Sequence, residues 1–370
     1  MSDLLLSDDF KSIVLANRLL IDVRAPVEFG KGAFPHSVNL PLMNDEERHL
    51  VGICYKKQGD DEALKLGHSL VRGTNKEKRV KAWQDLISVH PDAMLYCFRG
   101  GERSRISQEW LTEIGHHIVR LRGGYKAFRR YLIEETISAS DRFEPILLGG
   151  RTGSGKTILL QQVDNAIDLE ALANHRGSSF GRRIISQPNQ IDFENALAYA
   201  LIQKLELGFG KLVFEDEGRN IGKNYLPSHL VDSLSNAPLI VLETPIQERV
   251  EITFEEYVVT AQEEYQSVYP DTPLLTWKYD IKRAMKRIEK RLGGLRYQAV
   301  SGLLEDAFDE QLRSGSPEQH KVWVEYLLKE YYDPMYDYQI LKRSDLVQLR
   351  GGKEKILAYL RKNRYLEQGL

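Results

Sequence analysis

The sequence is poor in cysteine and has no long apolar run. Only Cys54 and Cys97 occur among 370 residues, which excludes a disulfide framework and points to a reducing compartment. No hydrophobic stretch reaches the ~18 residues that a membrane helix needs. The opening residues, Met1-Ser2-Asp3-Leu4-Leu5-Leu6-Ser7-Asp8-Asp9, are acidic and lack the basic start of a secretory signal. Formal charge is −2, from 51 basic and 53 acidic residues, so any nucleic-acid partner must use local basic stripes rather than a cationic coat. Internal repeats and low-complexity linkers are missing as well. With 42% hydrophobic and 28% charged residues, the chain reads as an ordinary cytoplasmic globular protein of two or three domains, and a monomer is expected.

Hydrophobic patterning divides the chain. From about residue 5 to 138, short apolar strands (19–23, near 38–40, 93–96 and 118–121) alternate with helical stretches (44–72, 75–89 and from about Ser104). Strands interleaved with helices imply a parallel sheet. A second α/β unit opens at Glu144-Pro145-Ile146-Leu147-Leu148 and continues through strands at 211–216 and 239–243. Beyond Pro245 the strand signals fade into charged helices, with Gly293-Gly294 and Asp333-Pro334 as expected breaks. The expected domains are therefore 1–138, 139–245 and 246–370.

Two strand–loop–helix cradles carry the chemistry. In the first, Met94-Leu95-Tyr96 delivers Cys97 to a loop containing Arg99, Gly100, Gly101, Arg103 and Ser104. Glycines let backbone N–H groups turn inward, the following helix aims its positive end at the loop, and the arginines add charge. Together these favour a nucleophilic thiolate and an anion beside it. A buried structural cysteine is the competing reading, and the adjacent Arg-Gly-Gly-Glu-Arg run weighs against it. Cys54, in helical context, reads as a packing residue rather than a relay.

The second cradle, Gly150-Arg151-Thr152-Gly153-Ser154-Gly155-Lys156-Thr157, fits G-x-x-x-x-G-K-[ST] and follows an apolar strand. Gly150, Gly153, Ser154 and Gly155 shape a loop whose amides wrap a diphosphate, and Lys156 neutralises its oxygens. No metal site is assigned. Thr157 and Asp216, at the end of Leu212-Val213-Phe214-Glu215, are the ligands a Mg²⁺ ion would take. A solvated strand-end carboxylate is the alternative for Asp216. Nothing nearby specifies a nucleobase.

Basic segments supply candidate RNA or phosphate contacts. His175, Arg176, Ser178 and Arg182 lie in a glycine-serine loop that reads equally well as plain surface. Lys282, Lys286, Arg287 and Lys290 lie on one broad cationic helix face, relieved only by Asp280 and Glu289. Such a run is usually a solvated face, but here RNA backbone contact is an even alternative. Tyr331-Tyr332-Asp333-Pro334-Met335-Tyr336-Asp337-Tyr338 offers either core packing or a stacking platform. His36, His49, His68, His116 and His117 show no metal-ligand spacing.

Ile21-Asp22-Val23-Arg24-Ala25-Pro26-Val27-Glu28-Phe29, Gly32-Ala33-Phe34-Pro35-His36-Ser37-Val38-Asn39-Leu40-Pro41 and Leu121-Arg122-Gly123-Gly124-Tyr125-Lys126-Ala127-Phe128 resemble the signatures of a rhodanese domain, with Cys97 at the sulfur-carrying position. The whole chain also resembles the bacterial tRNA 2-selenouridine synthase family. Beyond both cradles, that likeness rests on Val51-Gly52-Ile53-Cys54-Tyr55-Lys56-Lys57-Gln58-Gly59, Leu66-Gly67-His68, His175-Arg176-Gly177-Ser178-Ser179-Phe180-Gly181 and Glu330-Tyr331-Tyr332-Asp333-Pro334-Met335-Tyr336. The resemblance implies an α/β fold with an N-terminal rhodanese-like parallel-sheet domain, a central P-loop α/β domain and a C-terminal helical region. It implies a transferase acting on tRNA that carries 2-thiouridine at the wobble position. Geranyl diphosphate alkylates the sulfur, and selenophosphate then replaces the S-geranyl group, giving 2-selenouridine. In that scheme Cys97 holds selenium as a perselenide and the P-loop holds the diphosphate. Two other readings stay open: a rhodanese-type tRNA sulfurtransferase with a nucleotide-hydrolysing P-loop, and a non-enzymatic RNA-binding module.

Overall fold

The computed structural model describes residues 4–178 and 180–362. They form two compact units, Met1–Ala139 with Asn189–Gln203, and Ser140–Pro188 with Lys204–Leu370. Ser179, within the glycine-serine loop, and residues 363–370, at the end of the expected helical region, lie outside the described residues.

The first unit is built on five parallel strands, β1 (Leu6–Ser7), β2 (Leu20–Asp22), β3 (Ser37–Asn39), β4 (Met94–Tyr96) and β5 (Val119–Leu121), in the order β1-β5-β4-β2-β3. Side chains alternate across a strand. Ile21, Leu95 and Cys97 accordingly enter one core with Trp83 and Trp110, while Leu20, Met94 and Tyr96 enter another with Phe34 and Phe128. Both faces are covered, as a parallel sheet requires. The Asp22-Val23-Arg24 run is an internal brace. Arg24 Nη2 meets Asp22 Oδ2 at 2.6 Å, also donates to the Gly32 carbonyl at 2.7 Å, and lies 4.0 Å over the Tyr125 ring.

One helix of this unit comes from a distant stretch of sequence. Gln190–Glu206 sends Ala198, Tyr199 and Ile202 into the Phe34–Phe128 core. Its Asp192 accepts from the Ala33 N–H at 2.6 Å, and Asn195 donates to the Ala33 carbonyl at 2.6 Å. The expected boundary at 138/139 thus separates two segments that share a core.

The second unit contains β6 (Glu144–Gly150), β7 (Ala166–Ile167), β8 (Lys211–Glu215), a small antiparallel pair of β9 (Asn220–Ile221) and β10 (Asn224–Tyr225), then β11 (Leu239–Leu242) and β12 (Val347–Gly351). Its main sheet has the order β12-β11-β6-β8-β7, every pair parallel. Strand β12 falls inside the segment expected to be wholly helical. It is a five-residue edge strand with alternating burial, too short to stand out among charged helices. The helices that follow β11 up to Tyr332 pack around Trp277, Phe308 and Trp323, while helices Lys156–Leu160 and Lys353–Lys362 pack against the sheet. The expected interruption at Asp333-Pro334 is also absent. Helix His320–Leu327 runs through a π-helical turn, Leu328–Tyr332, straight into helix Asp333–Lys342. Pro334 comes just after the π turn, where the backbone hydrogen-bond register changes.

Candidate functional site

The cysteine cradle closes by backbone approach. Gly100 has φ +67, and a Cβ there would lie 2.7 Å from the Leu121 carbonyl. Gly124 faces it, and a Cβ would collide with the Cys97 carbonyl. Glycine at both places lets the helix Gly124–Ala139 start against the loop. The Tyr125 and Lys126 N–H groups then donate to the carbonyls of Cys97 and Phe98, each at 2.9 Å. Cys97 is 3% exposed, and its Sγ lies 3.1 Å from Ser104 Oγ, which donates to the Gly101 carbonyl at 3.0 Å. Helix Glu102–Glu113 begins directly after the loop.

Of the two arginines expected to charge this cradle, one is paired and the other is exposed. Arg103 is held by Glu28, with Nη1 2.5 Å from Oε2 and Nη2 3.1 Å from Oε1. Burial alone would raise the Glu28 carboxyl, yet the Arg103 contact holds it below its ordinary value. Arg99 is exposed, its guanidinium 6.0 Å from the Phe98 ring. The cation built into the loop is Arg120, which sequence reasoning missed. It is buried on β5 and donates to the Gly100 carbonyl and, through Nε, to Gln108 Oε1 at 3.1 Å. Burial lowers its guanidinium, and the Cys97 sulfur opposes that shift. Glu28 lay within a quoted sequence signature, whereas Arg120 had no signal beyond its place on a strand.

The phosphate cradle sits at the carboxyl end of β6. Gly153 has φ +73, and a Cβ there would lie 2.8 Å from the Arg249 carbonyl. Lys156 Nζ donates to the Gly150 carbonyl at 3.2 Å, as in a loop closed on itself. Burial disfavours its charge, but Tyr336, Glu170, Glu217 and Glu215 more than offset this and hold the ammonium above its usual range. The following helix, Lys156–Leu160, is a single short segment. Ser154 Oγ is buried with no hydrogen-bond partner among the described residues, which fits a loop made to receive an oxyanion. A cavity of about 50 Å³ here is bordered by the loop, Ser178, Glu256 and Tyr336.

The acid beside Thr157 is Glu215, one position before the expected Asp216. Asp216 pairs with Arg343 at 2.5 Å, whereas Thr157 Oγ1 donates to Glu215 Oε1 at 3.4 Å. Glu215 Oε2 also accepts from the Glu170 N–H at 3.0 Å. Burial, then the charges of Glu170 and Asp168, push the Glu215 carboxyl well above its ordinary value; burial and Glu170 do the same to Glu217. Such carboxyls welcome a cation. Among the described residues, no group of three or more His, Cys, Asp or Glu side chains forms a ready metal site.

A buried strut fixes the loop. Arg249, 1% exposed, donates through Nε to the Thr152 carbonyl at 2.9 Å and through Nη2 to Asp333 Oδ1 at 2.6 Å. Arg151 pairs with Asp337 at 2.7 Å. The helix after the π turn therefore holds the P-loop through two arginines, a link that no local spacing reveals.

With this geometry established, comparison with known proteins becomes specific. Residues 143–366 match the family described as "tRNA 2-selenouridine synthase AAA domain", and residues 6–131 match "Rhodanese-like domain". Relatives named tRNA 2-selenouridine synthase include one from Sulfurovum sp., 64% identical over 98% of this chain and 100% of its own length. Another from Hydrogenovibrio crunogenus is 50% identical over 96% and 98%, and one from Pseudomonas fluorescens is 48% identical over 95% and 97%. The chain belongs to the tRNA 2-selenouridine synthase family.

Within this member of the tRNA 2-selenouridine synthase family, the remaining candidates sort by their contacts. His175 accepts from the Gly177 N–H at 2.9 Å, and burial lowers its imidazole to about 4, so it is a neutral brace. Arg176 is buried and pairs with Glu264 at 2.8 Å. Ser178 Oγ accepts from the Phe180 N–H at 3.1 Å. These three build the loop. Arg182 is exposed and, with Arg183, Arg283 and Arg287, borders a cavity of about 220 Å³ that also has Tyr265, Tyr269 and Trp277 in its wall. Lys282 and Lys278 share Glu305, each at 2.7 Å, and Lys286 pairs with Glu289 at 2.6 Å. The broad cationic face is thus partly neutralised. Lys290 remains exposed. Tyr331 and Tyr332 are buried core residues, Tyr336 borders the P-loop cavity with its ring 5.8 Å from Lys156, and Tyr338 is exposed. No helix among the described residues is long and apolar enough to cross a membrane.

Proposed function

We propose that this chain converts 2-thiouridine at the wobble position of tRNA to 2-selenouridine in two steps. In the first, the base sulfur attacks the allylic carbon of geranyl diphosphate. A C–S bond forms as the C–O bond breaks, diphosphate leaves and the ring nitrogen loses its proton. Gly150, Gly153, Ser154, Gly155 and Lys156 stabilise the departing charge. Mg²⁺ bound to the diphosphate would face Thr157 and Glu215, whose buried carboxyl it would relieve.

In the second step, selenium bonds to the base carbon, the C–S bond breaks and geranylthiol leaves. Selenophosphate and one water supply the selenium and become inorganic phosphate. Selenium enters and leaves at the selenide level, so no oxidant is consumed. A perselenide on Cys97 would need a reductant at delivery. The redox-neutral course has the Cys97 sulfur attack phosphorus, release selenide into the loop, and return to the thiol when water cleaves the thiophosphate. Arg120, whose charge the Cys97 sulfur favours, and the loop amides would stabilise the anion. Arg182, exposed at the border of the 220 Å³ cavity, is a better tRNA contact than Arg176, which is buried and paired with Glu264.

The observation that carries this reading is a nearly buried Cys97 in a glycine loop, joined in one chain to an intact P-loop and shared over its length with relatives of that name. The test is mass spectrometry of nucleosides from 2-thiouridine tRNA incubated with the protein, geranyl diphosphate and selenophosphate, with each omitted in turn. S-geranyl-2-thiouridine without selenophosphate and 2-selenouridine with both are expected. An unchanged base, together with nucleotide hydrolysis, would put the sulfurtransferase reading in its place.

A further inference from the structure

The first unit contains a cavity of about 380 Å³ that neither step described above has used. Most of its wall is apolar, with Leu42, Met43, Val51, Leu64, Ile106 and Trp110 among the lining residues. That volume lies at the small end of the ~300–1,000 Å³ typical of small-molecule sites. Two segments of the sequence with no role so far, Val51–Gly59 and Leu66–His68, supply much of the lining through helices Asp45–Gln58 and Asp60–Leu70. Charged and polar groups stand at its border, Arg48, Asp60 and His68 together with Glu102 and Arg103, the last two at the start of the helix that closes the cysteine loop. Cys97 itself packs in the same hydrophobic cluster as Leu42, Met43, Ile106 and Trp110. An apolar chamber therefore lies against the loop that holds the reactive sulfur.

Selenophosphate, a small polyanion, gains nothing from such a wall, and neither does the uracil ring. A branched hydrocarbon attached to the base sulfur would gain from burying its whole length. We propose that the cavity is a hydrocarbon subsite that takes the geranyl chain of the S-geranylated base during selenation and keeps it as geranylthiol departs. The inference rests on the proposed function and adds the place of its leaving group. Filling the subsite would select the alkylated base over 2-thiouridine for the second step, so the order of the reactions is enforced by shape.

Gly52 gives the test. It is exposed at the cavity's border, and a Cβ there would meet nothing within 4 Å. A phenylalanine can thus enter the chamber without displacing backbone. The full-length protein and its Gly52→Phe variant are titrated with labelled anticodon stem–loops carrying 2-thiouridine or S-geranyl-2-thiouridine, read by fluorescence anisotropy. Selenation of the geranylated RNA is followed by nucleoside mass spectrometry. The wild type is expected to prefer the geranylated RNA by roughly tenfold or more. Gly52→Phe should lose that preference while binding 2-thiouridine RNA as before, and its selenation should weaken through KM rather than kcat. Val51→Gln, on the half-buried wall, is the second variant should the first not fold. A variant that keeps the full preference overturns the subsite. So does a wild type that makes 2-selenouridine without preferring the geranylated RNA, and in that case the proposed function stands. A wild type that modifies no base overturns both.

Discussion

Asp333→Asn probes the strut that holds the phosphate loop. Arg249 is 1% exposed and divides its donors between the Thr152 carbonyl and both Asp333 oxygens, at 2.9, 3.0 and 2.6 Å. Asparagine keeps one acceptor but turns an amide donor toward a buried guanidinium. Removing one partner of a buried pair costs ~3–5 kcal/mol. Because the Asp333 side chain is 18% exposed and one hydrogen bond survives, ~3 kcal/mol is the expected loss. That is a large share of the ~5–15 kcal/mol of a typical domain, so the variant should fold but melt lower by roughly 6–12 °C in the P-loop unit. Arg249 would hold the Thr152 carbonyl less firmly, and a shifted loop should slow geranyl transfer by about tenfold to a hundredfold. The assays are calorimetry and geranyl transfer to 2-thiouridine RNA. A companion, Arg249→Met with Asp333→Leu, separates the two effects. It should regain most of the stability, because it buries no charge, yet leave transfer slow. Wild-type melting and wild-type transfer in Asp333→Asn would refute the strut.

Cys97→Ala should abolish 2-selenouridine and let S-geranyl-2-thiouridine accumulate; selenation by the alanine protein would remove the thiol from the mechanism. Lys156→Ala should slow geranyl transfer by about 10²–10³-fold while selenation of supplied geranylated RNA continues, and normal transfer would place the diphosphate elsewhere. Glu215→Gln should blunt Mg²⁺ dependence of transfer, whereas Asp216→Asn should instead weaken the Arg343 pair by ~1 kcal/mol; a Mg²⁺ titration of both variants decides between them. His320 accepts from the Trp323 indole N–H at 2.8 Å, and burial lowers its imidazole to about 4. A depressed imidazole favours the fold in its neutral form, so stability is full above about pH 6.5 and falls as pH drops toward 4, by about 3 kcal/mol. His320→Gln should flatten that limb of the denaturation profile; an unchanged limb assigns it to other groups.

What the sequence conveys is local, and what it hides is parity and distance. The two glycine-rich loops were legible because each places glycine at a positive backbone angle within a short run after an apolar strand. The second sheet's edge strand β12 was not, since five half-buried residues after a hundred helical ones carry little periodic signal. The helix Gln190–Glu206 read as part of the P-loop segment. Only its contacts, Asn195 on the Ala33 carbonyl and Tyr199 among the Phe34–Phe128 rings, place it in the first unit. The Arg249–Asp333 pair spans 84 positions, beyond any spacing rule.

The misplaced carboxylate shows the limit most clearly. Glu215-Asp216-Glu217 offers three acids at a strand end, and one step along a strand turns a side chain to the other face. Glu215 pairs in register with Leu148, ends the strand, and turns toward Thr157; Asp216, one residue on, turns to Arg343. A strand ending one residue later would bring Asp216 no nearer to Thr157, because parity and not length sets the face. The register of β8 against β6 is therefore what selects the acid that stands beside Thr157, and register is a property of the assembled sheet that the three acids in sequence do not encode.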